Sequence, residues 1–232
     1  MSTTSTSRSP TLGREELSAS IWTGQPWIAS QAVPNTGGYQ TWQSVNIDNV
    51  SVPLGKHTFT VRAGTGGFNL HDIEFSKIFQ LNTSGSTAIE AEWFAGGGEE
   101  FGSHDVNAGN AFTAPYLGYL RGGDTDLEIS STGNFDVGNT ENGEWLKYVI
   151  YNPTAKTYNV ALKAATTFTT SQVRYDLDSI GNTVGATTSI PNSGAWQIFG
   201  TANTSVTIPA GYHSLYVYIV NGGFNIDSLT LS

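Results

Sequence analysis

The chain has 232 residues, 38% of them hydrophobic and 12% charged, with 27 Gly, 8 Pro and no Cys. The absence of cysteine excludes disulfides, zinc–thiolate sites, iron–sulfur clusters and cysteine nucleophiles together. A net charge of −9 lacks the basic footprint that a duplex nucleic-acid binder needs. No apolar run approaches the roughly 18 residues of a membrane span, so neither a nucleic acid nor a membrane is expected as partner. The low lysine content and abundant Thr, Asn and Gly suggest an extracellular protein. The first twenty residues show no apolar export core, so the signal peptide is expected to be absent from this chain.

In chain order, residues 1–17 open on Met-Ser-Thr-Thr-Ser-Thr-Ser and read as a disordered Ser/Thr-rich tail. An internal repeat follows. Val33-Pro-Asn-Thr-Gly-Gly-Tyr-Gln-Thr-Trp42 returns as Ile190-Pro-Asn-Ser-Gly-Ala-Trp-Gln-Ile-Phe199, at an offset of 157. Val52-Pro-Leu-Gly-Lys-His57 returns as Ile208-Pro-Ala-Gly-Tyr-His213, and Gly66-Gly-Phe-Asn-Leu70 as Gly222-Gly-Phe-Asn-Ile226, both at 156. The second copy also carries a long stretch upstream, from about Ala88, for which the first has no room. The expected organisation is therefore a partial module, the C-terminal half of one, over 18–79, a linker over 80–87 containing Asn-Thr-Ser-Gly-Ser, and a complete module over 88–232.

Strands dominate both copies. His57-Thr-Phe-Thr-Val-Arg-Ala63 and Tyr158-Asn-Val-Ala-Leu-Lys-Ala164 alternate with period two. Pro209-Ala-Gly-Tyr212 is a turn into Ser214-Leu-Tyr-Val-Tyr-Ile-Val220, and Asn221-Gly-Gly223 closes that strand. No stretch has a helical period with caps. The expected fold is all-β, a sandwich.

More than half of the 19 acidic residues lie between Glu90 and Glu144. In Ile89-Glu-Ala-Glu92 a strand would point Glu90 and Glu92 the same way. They are either a solvated pair on an edge or oxygen ligands of a hard cation such as calcium. Trp196 follows the turn Pro191-Asn-Ser-Gly194, and Asn225 follows Gly222-Gly-Phe224. Trp196 is either a core ring or a face on which a sugar stacks. Asn225 is either a turn-stabilising amide or a donor and acceptor for sugar hydroxyls. Their counterparts in the first copy are Tyr39 and Asn69.

Five segments in order carry a resemblance: Ile89-Glu-Ala-Glu92, Gly143-Glu-Trp-Leu-Lys-Tyr148, Ile190-Pro-Asn-Ser-Gly-Ala-Trp196, Pro209-Ala-Gly-Tyr-His213 and Gly222-Gly-Phe-Asn-Ile-Asp227. Together they make 88–232 similar to the family 6 carbohydrate-binding modules, and 18–79 to the C-terminal half of one. The resemblance implies a jelly-roll β-sandwich that binds polysaccharide without catalysis. It implies a covalently linked carbohydrate-active enzyme domain, absent from this chain, that the module would target to plant or algal glycan. It implies a structural calcium held by Glu90, Glu92 and Asp227, with a carbonyl near Arg121. It further implies a cleft in which Trp196 stacks on the sugar and Asn225 bonds it. A second aromatic often precedes the Gly-Glu-Trp segment in this family. Asn139 holds that place here, and Phe135 is the nearby candidate to replace the ring. In the first copy His71 stands at the position of Asp227, with Asp72 beside it. The rings of that copy, among them Trp42, Phe59 and Phe75, are too many for a half sandwich to bury. Two rival readings remain: a β-sandwich hydrolase or lyase drawing on the acidic cluster, and a structural or adhesion domain.

Overall fold

The protein is described by a computed structural model that covers residues 2–6, 15–21, 26–43, 45–50, 58–71, 73–112 and 123–232. The chain divides into two compact units, Met1–Lys77 and Ile78–Ser232.

The first unit contains β1 (Ser2–Thr6), β2 (Glu15–Ile21), β3 (Pro26–Val33), β4 (Val45–Val50), β5 (Phe59–Ala63) and the start of β6 (Ile73–Gln80). Strands β3, β2 and β5 form one antiparallel ladder. Strands β4, β1 and β6 form another. The segment expected as a tail is thus partly strand. Threonine and serine with period-two side chains suit a pleated ladder, and a compositional reading of disorder misses that.

The second unit contains β7 (Thr87–Glu90), β8 (Ser103–His104), β9 (Leu127–Ile129), β10 (Phe135–Val137), β11 (Trp145–Asn152), β12 (Lys156–Ala165), β13 (Gln172–Leu177), β14 (Thr188–Ser189), β15 (Gly200–Ile208), β16 (Gly211–Asn221) and β17 (Asn225–Leu231). One sheet runs β14-β13-β16-β11, with β8 and residues 78–80 of β6 also on β11. The other runs β15-β12-β17-β10-β9, with β7 on β17. The two sheets form the β-sandwich of jelly-roll type expected from the sequence. Alternation sets the faces: Tyr158, Val160 and Leu162 of β12 and Leu215, Val217 and Ile219 of β16 are buried in one core. Leu81 belongs to that core, and Asn82 accepts from the Ser84 amide while its own amide donates to Thr87 Oγ1. Residues 80–87, expected as a linker, are therefore a turn built into the second unit.

The two units repeat each other in register. In the first, Leu17, Ala19 and Ile21 pair with Ala63, Val61 and Phe59. Adding 156 to each number gives Val173, Tyr175 and Leu177 pairing with Ile219, Val217 and Leu215, which is the β13–β16 ladder. Thr4, Ser5 and Thr6 pair with Phe75, Glu74 and Ile73. The same addition gives Val160, Ala161 and Leu162 against Leu231, Thr230 and Leu229 of the β12–β17 ladder. The repeated register thus includes Ser2–Thr6, outside the range 18–79 read from the sequence. Its surplus rings stay partly outside: Trp42 and Phe75 are exposed, and Phe75 meets Phe59 edge-on at 4.9 Å.

Inside the second unit several polar groups are fully enclosed, Asn152 among them. Asn152, at 0% exposure, donates through Nδ2 to the carbonyls of Ile208 and Pro209, each at 2.9 Å, and accepts from Tyr158 Oη at 2.7 Å. Three polar groups depend on this amide, and losing it strands them in an apolar interior. Asn152→Ala is expected to cost about 2–4 kcal/mol, read as a fall in denaturant midpoint with an unchanged m-value.

Candidate functional site: a cleft at one end of the sandwich

Several connections of the second unit meet at one end of the sandwich: β10–β11, β12–β13, β14–β15 and β16–β17. They enclose a cleft of about 470 Å³ whose lining includes Trp196, Phe168, Phe112, Asn139, Glu128 and Asn225. Loops carried by a rigid sheet are the usual seat of recognition.

The aromatic walls are set by backbone. Asn192 Oδ1 accepts from the Gly194 amide at 2.8 Å, and its Nδ2 donates to the Thr167 carbonyl at 2.7 Å. Ser193 and Thr166 exchange a further pair of bonds between their loops. Trp196 therefore keeps its place while its ring stays 42% exposed. Phe168, 50% exposed, stands almost perpendicular to it, at 70° with 5.7 Å between centroids. Gly223, at φ +78°, makes the seat for Phe168: a Cβ there would lie 2.7 Å from the ring. At Gly222 a Cβ would fall 2.2 Å from the Thr140 carbonyl oxygen. The Gly-Gly pair thus brings bare main chain against a ring and another backbone.

The floor is polar and acidic. Asn225, 2% exposed, donates through Nδ2 to Glu128 Oε1 at 2.6 Å, to the Trp196 carbonyl at 3.1 Å and to Asp136 Oδ2 at 3.5 Å. Its donors are committed to the protein, which leaves Oδ1 as the acceptor side of the amide. Asp136 is cross-strand from Glu128 and 0% exposed. Gln197 Nε2 donates to Asp136 Oδ2 at 2.8 Å, while Oδ1 is buried without a hydrogen-bond partner. Burial first, and then the charge of Glu128, push the Asp136 carboxyl up to about 7.

Asn139, at φ +50°, donates through Nδ2 to Asp126 Oδ2 at 2.8 Å and lines the cleft. Phe135 pairs with Ile129 and packs against the core; it is not part of the cleft lining. The ring set against Trp196 is that of Phe168, which sequence analysis missed. The available signal was an aromatic inside the threonine-rich turn Thr166-Thr-Phe-Thr-Thr170, just past an alternating strand. Asp136 and Glu128 were missed as well: the β9–β10 hairpin is local, but nothing local shows that it lies beside Asn225.

The first unit repeats the heart of this arrangement. Asn69 Nδ2 donates to the Tyr39 carbonyl at 3.0 Å, as Asn225 does to Trp196. Asn35 Oδ1 accepts from the Gly37 amide at 2.9 Å, as Asn192 does from Gly194. The Tyr39 ring is 51% exposed. At the position of Asp227, His71 meets Trp42 edge-on at 5.1 Å. Asp72 lies outside the described residues, as does Arg121.

The carboxylates expected at a metal are placed differently from the sequence reading. The strand ends at Glu90, and Ala91–Trp93 is a 3-10 turn, so Glu90 and Glu92 do not alternate along one strand. Glu92 is 4% exposed. Glu90 pairs with Ser228, which puts it beside Asp227 on the adjoining strand. Asp227 is already engaged: Lys163 Nζ lies at 3.0 Å, and Ser130 Oγ and Thr132 Oγ1 donate to Oδ1 at 2.7 and 2.6 Å. Burial opposes its charge, but these donors outweigh that and hold its pKa below the ordinary value. Among the described residues, the acidic and histidine ligand atoms that converge are those of Glu99, Glu100 and His104. There the imidazole bonds both carboxylates, and although burial works against it, they raise its pKa.

The comparisons with known proteins bear directly on this cleft-bearing sandwich. The family described as "Carbohydrate binding module (family 6)" matches residues 3–77 and 118–232. The chain belongs to the family 6 carbohydrate-binding modules. This family is non-catalytic, which is consistent with a binding module. The clotting factor G alpha subunit of Tachypleus tridentatus is 23% identical over 229 residues, which take in 94% of this chain. The chain spans only 29% of that relative's length. Among solved structures, the C-terminal family 6 module of LamC, a marine laminarinase from Zobellia galactanivorans, superposes with a TM-score of 0.50 at 24% identity. That match covers 64% of this chain and 99% of the LamC module. A family 6 module of Cellvibrio mixtus lichenase 5A, solved with cellotriose, is 25% identical with a TM-score of 0.43. It covers 47% of this chain and 86% of that module.

Asp136 makes the stability of this family 6 module depend on pH. Its folded-state pKa, about 7, lies above the ordinary 3.8. The folded protein thus binds this proton more tightly than the unfolded chain. The resulting stability is fully present below the lower value and is lost as pH rises through the higher one. Asp136→Asn removes that loss. Its melting temperature is expected to fall less than that of the wild type between pH 4 and 7, roughly the span of the two pKa values. An unchanged slope in thermal melts across that range would show that Asp136 does not titrate as described.

Proposed function

We propose that the second unit binds polysaccharide in the cleft between Trp196 and Phe168, and that it holds a carbohydrate-active enzyme on plant or algal glycan outside the cell. The observation that carries this reading is the pair of exposed rings, nearly perpendicular, above a floor of amides and carboxylates. Sugar C–H groups pack on an aromatic face, while hydroxyls donate to carboxylate and amide oxygens within reach. Trp196 supplies the platform. Phe168 supplies a side wall, where a sandwiching partner would have stood at Asn139. Asn225 acts mainly by fixing Glu128 and the Trp196 backbone, and offers Oδ1 to the ligand. In the first unit Tyr39 and Asn69 offer the beginning of a second site. It would add to affinity through two-point attachment if both sites meet one chain of glycan.

Affinity electrophoresis against a polysaccharide panel tests this. Stacking of a base on an aromatic, the nearest measured analogue, is worth about 1–3 kcal/mol, so Trp196→Ala is expected to weaken retention about tenfold to a hundredfold. Phe168→Ala is expected to weaken it less. Both should keep the wild-type melting temperature, because the rings are half exposed. A variant that loses stability and keeps retention would mark Trp196 as structural and favour the adhesion reading.

We also propose a structural calcium at the β7 end of the unit, with Glu90 and Glu92 as its carboxylates. A buried carboxylate such as Glu92 favours a hard cation nearby. Asp227 fits this role less well, because Lys163 already balances its charge. A ligand that binds only the folded state stabilises it by mass action. EDTA is therefore expected to lower the melting temperature and added calcium to restore it. A melting curve indifferent to both removes the assignment.

A further inference from the structure

The cleft is charged in one sign. Glu128 and Glu141 line it, and among the described residues no lysine or arginine does. Each carboxylate is fixed by a neutral amide: Glu128 Oε1 accepts from Asn225, and Glu141 Oε1 from Asn107 Nδ2 at 2.6 Å. Among the described residues neither is in an ion pair, and Lys163 and Arg174 are engaged elsewhere. Lys163 pairs with Asp227, and Arg174 with Asp176. Asp136 adds a third carboxyl beneath Glu128. The ring faces of Trp196 and Phe168 are themselves electron-rich, and the whole chain carries −9.

We propose that this cleft selects glycans by charge: it takes neutral sugar units and turns away units that carry a carboxylate or sulfate. The inference rests on the reading of the cleft as the polysaccharide site. A neutral hydroxyl donates to Glu128 or Glu141 in a charge-assisted bond, which is stronger than one between neutral groups. A uronate or sulfate in the same place offers no donor and meets like charge at close range, with few waters to screen it. Among the described residues no cation lines the cleft to repay the desolvation of the anion.

The test compares one backbone in two charge states. Soluble β-1,3-glucan, mixed-linkage β-glucan and β-1,4-galactan are titrated against the full chain by calorimetry at pH 8. The same polymers, oxidised to carboxylates at C6, are titrated beside them. Binding of a neutral polymer together with at least about tenfold weaker binding of its oxidised form is the expected result. Raising the salt should narrow the gap. Glu141→Gln and Glu128→Gln keep an oxygen for Asn107 and Asn225 respectively, and each should recover part of the lost affinity for the oxidised polymer. Glu141 is exposed, so its variant still reports if Glu128→Gln does not fold. Equal affinity for the two forms overturns the charge selection and leaves the binding reading standing. An oxidised form that stays equally weak in both variants overturns it too, since the lost C6 hydroxyl then explains the difference. If no neutral polymer binds, and Trp196→Ala changes nothing, the binding reading falls and the charge selection with it.

Discussion

The cleft depends on one buried amide. Asn225 stands at the first position of β17 and reaches three elements at once: Glu128 on β9, Asp136 on β10 and the Trp196 backbone between β14 and β15. Both of its hydrogens go to acceptors on the protein. The amide therefore ties the Trp196 backbone to the acidic floor and fixes their separation. Two carboxyls on neighbouring strands repel each other and are costly to bury. The shared donor, with Gln197 donating to the same Asp136 oxygen, offsets part of that cost.

The same bond recurs in the first unit, from Asn69 to the Tyr39 carbonyl. There the aromatic is Tyr in place of Trp, yet the preceding turn keeps its Asn–Gly bond and its left-handed glycine, Gly37 matching Gly194. The main-chain frame is thus repeated more faithfully than the ring it presents. That is physically reasonable, since the frame is fixed by backbone groups that must be paired, while an exposed ring is free to vary.

Much of this was legible in the sequence. Period-two alternation and regular turns give a sandwich, and the repeated blocks show that one architecture occurs twice. Trp196, Asn225 and Asn139 were singled out from turn chemistry and resemblance, and all three line one cleft. What the sequence hid has physical causes. Phe168 and Glu128 come to the cleft through strand neighbours far apart in the chain, and local pattern carries no record of such pairing. Phe135 was favoured for proximity in sequence, but it packs against the core. Glu90 and Glu92 were read as alternating, and a 3-10 turn after Glu90 breaks the period on which that reading rested. The Ser/Thr run at the start was read by composition, yet Ser2–Thr6 holds the same register as part of β12.

That repeated register bears on how the chain reaches its native state. The ladder β2–β5 and the ladder β13–β16 align pair for pair. A newly made chain therefore holds two donors and two acceptors of the same hydrogen-bond pattern, and backbone pairing alone does not tell β2 from β13. Discrimination falls to side-chain volume: Ala19 stands where Tyr175 stands, and Ser18 where Arg174 stands over the Tyr218 ring. Exchange of strands between copies is a characteristic hazard of such repeats. At these two positions the larger residue belongs to the second unit, so a strand taken from the first would leave a cavity and lose the contact over Tyr218, a sorting rule written in packing.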